Sequence, residues 1–223
     1  MRTDLRRTIP NKPILFIDFD QTMTSNDSQV DSIIDTFYKL ESEKGKDTNK
    51  IKLIGKKLRS QGKLGIYNLF LAVCNNKMDE FNQLCQEIFT LVDYSSIQKN
   101  EDLMNIMKEA SKKFDLYILT NNHRIHIDKG LKKLFGVGID EVDFIRCFDI
   151  LETFHDGRFW GKQMPGALEM ACERVGAEIG ECTLIDDMKS NISIAQKIGM
   201  NAILVTDNNN LSDILRNLLK QHS

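Results

Sequence analysis

Short apolar segments of strand length alternate with helical patterns along most of the chain, and this alternation constrains the fold more than any other feature. A strand that is apolar on both faces is typical of a parallel sheet covered on both sides. Helical periodicity over 165–176, 191–200 and 211–219 separates or follows the later segments. The alternation predicts a doubly wound, Rossmann-like α/β fold. The predicted strands are Ile14–Ile17, Leu116–Leu119, Phe144–Ile145, Thr183–Ile185 and Ala202–Val205.

A different pattern fills the region between the first two predicted strands. From residue 28 to residue 97 the apolar residues recur at helical spacing, with turn residues between the groups. We therefore predict about four helices that form a small bundle inserted into the α/β domain. The predicted division is a core domain of residues 1–24 and 98–223 and an all-helical insert of residues 25–97. Asn100, followed by two acidic residues, is the predicted N-cap of the first helix after the insert.

Composition excludes several classes of protein. The 223 residues carry a formal charge of −2 and are 41% hydrophobic, which excludes a disordered chain and argues against a protein that coats nucleic acid. The longest apolar runs are far shorter than the roughly 20 residues of a membrane-spanning helix. Five cysteines without a Cys-x-x-Cys pair indicate reduced thiols, so we expect a cytoplasmic protein that does not bind a membrane.

Charge is unevenly distributed within the predicted helical insert. The segment from Lys39 to Lys63 contains nine basic and three acidic residues. A solvated helix face is the simpler interpretation of this excess. The alternative is a positively charged lid that steers an anionic substrate towards a site. We do not expect nucleic acid as a substrate, since the rest of the chain lacks an aromatic and basic platform. The sequence leaves the oligomeric state open.

Acidic pairs follow two of the predicted strands. Asp18 and Asp20 follow the first strand, and Asp186 and Asp187 follow the fourth. Open α/β sheets bind ligands outside the carboxyl ends of their strands, so these carboxylates are placed for chemistry. Neighbouring carboxylates repel one another unless a cation or a proton relieves them, and a cluster of oxygen ligands favours Mg²⁺. Each pair alone is also compatible with an acidic turn or a helix cap.

Two further features at strand ends favour the binding of an anion. Thr120 and Asn121 end the second strand before a helix, where a hydroxyl and backbone N–H groups form an anion cradle. Lys162 precedes the helix that leads to the fourth strand, so its side chain can reach the same edge of the sheet. An ordinary turn and a surface lysine explain either feature by itself. The four features together are much more specific than any one of them.

The order and spacing of these features resemble the motifs of the haloacid dehalogenase (HAD) superfamily. The resemblance extends from Pro13 to Asp207. It implies an enzyme of the phosphatase type, in which the helical insert between the first two motifs corresponds to a C1-type cap. The segments similar to the four motifs are Asp18-Phe19-Asp20-Gln21-Thr22, Thr120-Asn121, Lys162-Gln163-Met164-Pro165 and Asp186-Asp187.

The resemblance implies a phosphomonoester hydrolase that acts on a small phosphorylated metabolite. Asp18 would attack phosphorus and form an aspartyl phosphate. Asp20 would protonate the leaving oxygen and then deprotonate the hydrolytic water. Lys162 would offset the charge of the phosphoryl group and position Asp18. Thr120 and Asn121, with Lys162, would bind the phosphoryl oxygens.

The resemblance also implies Mg²⁺ as the cofactor. The ion would be held by the Asp18 carboxylate, the Asp20 backbone carbonyl and Asp187, while Asp186 would act through water. Thr22 would orient Asp20. Each of these assignments comes from the family motifs and is an expectation for this chain.

Several alternatives stay open at the level of sequence. A sugar phosphomutase uses the same residues, and a catalytically inactive domain would bind phosphate or a protein partner through them. A phosphonate hydrolase requires a Schiff-base lysine in the cap. A dehalogenase is disfavoured, because it needs neither the second acid Asp20 nor a metal.

Two positions depart from the family pattern. Gln21 stands where glycine is common, which predicts a different local backbone or a polar group that faces the substrate, and Gln163 stands where proline is frequent. His123 and His126 are three residues apart without a further His or Cys nearby. We therefore expect both histidines to be ordinary surface residues, although His123 follows Thr120 closely enough to line the site.

Overall fold

In the described part of the chain, a parallel sheet of five strands forms the centre of the α/β unit. The computed structural model describes residues 12–24, 28–60, 66–149 and 161–222. The strands are β1 (Ile14–Ile17), β2 (Asp115–Thr120), β3 (Arg146–Asp149), β4 (Cys182–Asp186) and β5 (Asn201–Leu204). Their order across the sheet is β3-β2-β1-β4-β5, and every neighbouring pair is parallel. The predicted α/β class with a Rossmann-like parallel sheet is confirmed.

The helices divide between two compact units. One unit contains the sheet together with α5–α9, and the other contains α1–α4. No helix among the described residues is long and apolar enough to cross a membrane. The helices are α1 (Ser28–Glu43), α2 (Thr48–Ser60), α3 (Ile66–Val73), α4 (Met78–Leu91), α5 (Glu101–Lys113), α6 (Arg124–Leu134), α7 (Ala167–Val175), α8 (Lys189–Lys197) and α9 (Leu211–Gln221).

The central strand β1 is buried along its whole length. On one face the Phe16 ring lies 5.8 Å from the Tyr117 ring and 6.3 Å from the Phe148 ring. Side chains of α7 and α8 complete this apolar cluster. Fully burying one such side chain contributes roughly 1.5–3 kcal/mol. Because β1 is fixed by packing and by pairing with β2 and β4, the residues that follow it start from a rigid position.

Helix boundaries follow the local chemistry of their end residues. The Asn100 side chain accepts a hydrogen bond from the Leu103 backbone N–H at 2.9 Å, which confirms the predicted N-cap of α5. The helix predicted to begin at Pro165 begins instead at Ala167, because Gly166 adopts a left-handed φ of 81° and interrupts helical geometry. Gly176, with φ of 72°, ends α7 where the sequence predicts its end.

The third strand lies at a different position from the predicted one. The prediction placed it at Phe144–Ile145, whereas β3 begins at Arg146 and pairs with Tyr117 to Thr120 of β2. Arg146 donates a hydrogen bond from Nη1 to the Tyr117 hydroxyl at 3.1 Å. A strand at the edge of a sheet needs only one buried face. The strand β3 therefore accommodates Arg146 and has no continuous apolar run.

Close packing joins α6 to the loop that follows β1. Gly130 lies on the face of α6 that meets the Phe19 ring, and a Cβ atom at this position would lie 2.5 Å from Phe19 Cζ. Real Cβ atoms do not approach aromatic carbons so closely, so glycine is required for this approach. The contact sets the distance between the first turn of α6 and the β1 exit loop.

The Gly130→Ala variant is expected to lose about 1–3 kcal/mol of stability, because the added methyl group must displace the buried Phe19 ring. Alanine is otherwise the better helix former by about 1 kcal/mol. Gly55→Ala in α2 is the matched control, since its Cβ would lie 3.7 Å from Leu69 in ordinary contact. Gly55→Ala should be neutral or stabilising in urea unfolding. A stability gain in Gly130→Ala would contradict the packing of Phe19 on α6.

Candidate active site

Lys162 lies at the centre of the candidate site and is almost completely buried. Its ammonium group donates hydrogen bonds to Asp18 Oδ1 at 2.5 Å, Asp186 Oδ2 at 2.6 Å and the Leu119 carbonyl oxygen at 3.1 Å. Three acceptors therefore use all three ammonium hydrogens. The side chain joins the carboxyl ends of β1, β2 and β4, so the prediction that Lys162 reaches this edge of the sheet is confirmed.

Three carboxylates meet beside the ammonium group. One oxygen each from Asp18, Asp186 and Asp187 lies within 4.8 Å of the others. Burial raises the pKa of Asp18 to about 8, against the opposing effect of Lys162. Burial and then the charge of Asp186 raise the pKa of Asp187. Burial acts to lower the pKa of Lys162, but Asp18 and Asp186 raise it above its ordinary value, so the lysine stays charged.

The charge balance of this cluster fits a divalent cation. Three ionised carboxylates and one ammonium group would carry a net charge of −2. Burial is the main cause of the raised pKa values of Asp18 and Asp187, and repulsion from Asp186 adds to it. Carboxylate oxygens without nitrogen or sulfur donors are the ligands of a hard cation such as Mg²⁺ or Ca²⁺. Asp18, Asp186 and Asp187 therefore fit the group that the motifs imply.

Asp186 already has a full set of partners. Its carboxylate accepts from Lys162, from the Met188 backbone N–H at 2.8 Å and from Asn191 Nδ2 at 2.9 and 3.0 Å. These contacts orient the Asp186 carboxylate and leave Asp18 and Asp187 as the more available oxygen donors. Asn191 was not among the predicted site residues, although it lies on the first turn of α8, four residues after Asp187.

The predicted anion-binding residues lie at the end of β2. The buried Thr120 accepts a hydrogen bond from the Asn122 backbone N–H at 3.0 Å, and no bond donated by its hydroxyl is found within the described part of the chain. Asn121 accepts from the Lys162 backbone N–H at 2.9 Å and donates to Gln163 at 3.3 Å. Asn121 therefore ties the segment that carries Lys162 to the end of β2.

Asp20 points to a different set of partners from the carboxylate cluster. Its Oδ1 lies 2.8 Å from His126 Nε2, and its Oδ2 accepts from Asn122 Nδ2. Burial acts to raise the pKa of Asp20. The charge and the hydrogen bond of His126 outweigh this effect, and Asn122 and Lys162 act in the same direction as His126, so the pKa is lowered. Asp20 is therefore ionised at neutral pH and is held by residues distant in sequence.

Two sequence predictions about this region are wrong. His126 is fully buried rather than at the surface, because it lies on the face of α6 that packs against Phe19, with the two rings 5.9 Å apart. Thr22 does not orient Asp20, since its buried hydroxyl has no hydrogen-bond partner among the described residues. The spacing of His126, Gly130 and Leu134, one turn apart on the buried face of α6, is the signal that identifies His126.

His123 and Gln21 shape the loops on either side. The His123 side chain accepts from the Ile125 backbone N–H at 3.2 Å and caps α6. Burial lowers the pKa of His123 to about 4, which keeps the ring neutral and able to accept. Gln21 is exposed and adopts a φ of 59°, the left-handed conformation that glycine permits without steric cost. Hydrogen bonds from Met23 and Thr24 to the Phe19 carbonyl oxygen close this loop.

Solved structures of similar fold include enzymes with different ligands. The HAD family enzyme bt-2542 from Bacteroides thetaiotaomicron, determined with magnesium and inorganic phosphate, has 16% identity and a TM-score of 0.55 over 91% of this chain and 98% of its own. A 2-haloacid dehalogenase from Pseudomonas syringae pv. tomato has 19% identity and a TM-score of 0.61 over 95% and 99%. CbbY from Rhodobacter sphaeroides, a mutant in complex with xylulose-(1,5)bisphosphate, has 13% identity and a TM-score of 0.58 over 87% and 85%.

Comparison at the level of sequence gives the family. No curated protein matches the chain significantly. The sequence profile of the haloacid dehalogenase-like hydrolases matches residues 13–199, which is most of the chain and includes every strand of the sheet except the last. The chain therefore belongs to the haloacid dehalogenase-like hydrolase family.

Proposed function

We propose that this protein is a Mg²⁺-dependent phosphomonoester hydrolase that works through an aspartyl phosphate on Asp18. The contact between Lys162 and both Asp18 and Asp186 carries the proposal. The buried ammonium group of Lys162 holds the nucleophile Asp18. It lies where it would offset the negative charge of a phosphoryl group brought close to Asp18. Such fixed charges stabilise a phosphoryl group in transfer better than solvent does.

Two steps make up the proposed reaction. An Asp18 oxygen forms a bond to phosphorus while the bond from phosphorus to the ester oxygen breaks. Asp20, in the protonated form that is the minor one at neutral pH, gives its proton to the leaving oxygen. Asp20 then takes a proton from water as the water oxygen attacks the aspartyl phosphate. The products are an alcohol and inorganic phosphate, and both carboxylates return to their starting states. Thr120 and Asn121 donate to the phosphoryl oxygens from the end of β2.

Mg²⁺ is the proposed cofactor, held by Asp18 and Asp187 with the Asp20 backbone carbonyl, while Asp186 acts through water. A bound divalent cation supplies Lewis-acid neutralisation of the phosphoryl charge. The net charge of the carboxylate cluster supports this assignment, as does the magnesium bound with phosphate in bt-2542. The binding of Asp18 to a cation also favours the ionised form that acts as a nucleophile.

Mg²⁺ affinity is expected to rise with pH and to level off above about pH 8. Without metal the pKa of Asp18 is about 8, so at lower pH the ion must displace a proton from this carboxyl. Affinity should fall by up to about tenfold per pH unit below that value. Calorimetric titration in buffers of different ionisation enthalpy, without substrate, measures both the affinity and the released proton. Asp187→Asn should bind Mg²⁺ more weakly and the exposed Asp143→Asn should not. Affinity independent of pH would contradict the assignment.

We also propose that residues 25–97, which include α1–α4, act as a cap over the core domain of residues 1–24 and 98–223. The insertion of this unit between the first and second motifs supports the proposal. A cap that closes over the site would exclude bulk water while the aspartyl phosphate forms, and would limit the substrate to a small phosphate ester.

A substrate panel tests the proposed function directly. Sugar phosphates, nucleotides and amino-acid phosphates are incubated with the protein and Mg²⁺, and the release of inorganic phosphate is measured with and without a chelator. Hydrolysis that depends on Mg²⁺ supports the proposal. A rearranged sugar phosphate without free phosphate would identify a mutase, and halide release from a 2-haloacid would identify a dehalogenase. Binding without turnover of any compound would identify an inactive domain.

A further inference from the structure

Two side chains from the region around the start of α6 hold the Asp20 carboxylate. His126 contacts Oδ1 through Nε2 at 2.8 Å, and Asn122 contacts Oδ2. Both partners are more than 100 positions away in sequence. Each carboxylate oxygen uses one lone pair in these contacts and keeps a second one. The two contacts therefore orient the carboxylate and leave a lone pair that can take up and release a proton.

Packing prevents the His126 ring from turning away. The Phe19 ring meets it edge-on with centroids 5.9 Å apart, and Phe19 in turn lies against Gly130, one helical turn further along α6. The histidine side chain is fully buried. Since Phe19 directly precedes Asp20, the same contact that fixes the ring also fixes the backbone that carries the carboxylate.

Within the described part of the chain, no residue near Asp20 in sequence replaces these contacts. The Thr22 hydroxyl is buried and lacks a hydrogen-bond partner among the described residues. The orientation of Asp20 therefore depends on long-range contacts with His126 and Asn122. An aspartate has two free side-chain torsions, and an error of about 1 Å in the position of a reacting group costs as much as 100-fold in rate.

We propose that His126 is a positioning residue that holds the Asp20 carboxyl in the orientation from which it protonates the leaving oxygen. The inference rests on the proposed function, because Asp20 has this role only if a phosphate ester is cleaved. His126 acts through Asp20 and does not touch the substrate. Its hydrogen bond removes one torsional degree of freedom from the acid before the substrate binds.

Dependence on the leaving group separates this role from a purely structural one. The value of kcat/KM reports the formation of the aspartyl phosphate. In this step a phenolate that leaves easily needs no proton from the general acid, whereas a poor leaving group does. Wild type and variants are assayed on substituted phenyl phosphates ranging from p-nitrophenyl to unsubstituted phenyl. His126→Phe should lower kcat/KM about 100-fold on phenyl phosphate and about threefold on p-nitrophenyl phosphate. His126→Gln retains an N–H donor and should recover most of the loss.

Three controls keep the experiment decisive. Asp20→Ala should show the same steep dependence on the leaving group, and adding His126→Phe to it should cause no further change. Leu131→Ala, buried on the same helix, should lose stability and leave the leaving-group dependence as in wild type. An equal loss on all esters in His126→Phe, or a gain in rate, would overturn the inference. A wild-type protein inactive on every ester would instead overturn the proposed function.

Discussion

Replacing Asp18 with asparagine is expected to abolish phosphate release, with a fall in kcat of at least about 10⁴-fold. The amide is not a nucleophile, so the first covalent step has no acceptor. Phosphate release from the best substrate of the panel, with Mg²⁺ present, measures the loss. Acid quenching of wild type during turnover should trap phosphate on the protein, and Asp18→Asn should trap none. Near-wild-type activity in this variant would show that the nucleophile is another residue.

The fold should survive this substitution. Without metal the pKa of Asp18 is about 8, so the carboxyl is mostly protonated at neutral pH, and asparagine resembles that uncharged form in size and shape. Lys162 keeps Asp186 and the Leu119 carbonyl oxygen as acceptors. We therefore expect the thermal midpoint of metal-free Asp18→Asn to equal or exceed that of wild type. The exposed Asp143→Asn is the matched control and should leave both activity and stability unchanged.

The sequence predicts the buried part of the sheet because burial leaves a local signal. A central strand such as β1 is covered on both faces, so every residue from Ile14 to Ile17 is apolar. The edge strand β3 has no such signal. Its Arg146 is accommodated by contact with Tyr117 of the neighbouring strand, and that pairing cannot be found within a short window of sequence.

The candidate site likewise contains residues whose position the sequence predicts and residues whose position it does not. Asp18 directly follows β1, and Thr120 and Asp186 are the last residues of β2 and β4, so topology alone brings them to one edge of the sheet. Lys162 reaches the same edge because it precedes the helix that leads to β4. The partners of Asp20 depend instead on the rotation of α6, which Phe19 and Gly130 fix by a contact across the fold. Such a contact has no signature within either motif.

Replacing Lys162 with methionine should reduce both stability and turnover. The variant keeps most of the side-chain volume but leaves the fully buried Asp186 and the nearly buried Asp18 without their cation. Loss of one partner from a buried ion pair costs about 3–5 kcal/mol. Urea unfolding measures this cost, and Lys197→Met, exposed on α8, should change stability by less than about 0.5 kcal/mol.

The pH dependence of the Lys162→Met defect identifies its cause. In the unfolded chain the Asp18 carboxyl titrates near about pH 4, whereas burial raises its pKa in the folded protein and loss of the Lys162 cation raises it further in the variant. The folded variant then binds protons more tightly than the unfolded chain, so its stability falls as pH rises above about pH 4 and recovers as pH is lowered again. Adding Asp186→Asn to Lys162→Met should restore part of the lost stability near neutral pH, because the double variant lacks a buried negative charge as well as the lysine cation. A defect of equal size at every pH, unrelieved by Asp186→Asn, would mean that the lost packing of the lysine chain, rather than unpaired charge, destabilises the variant.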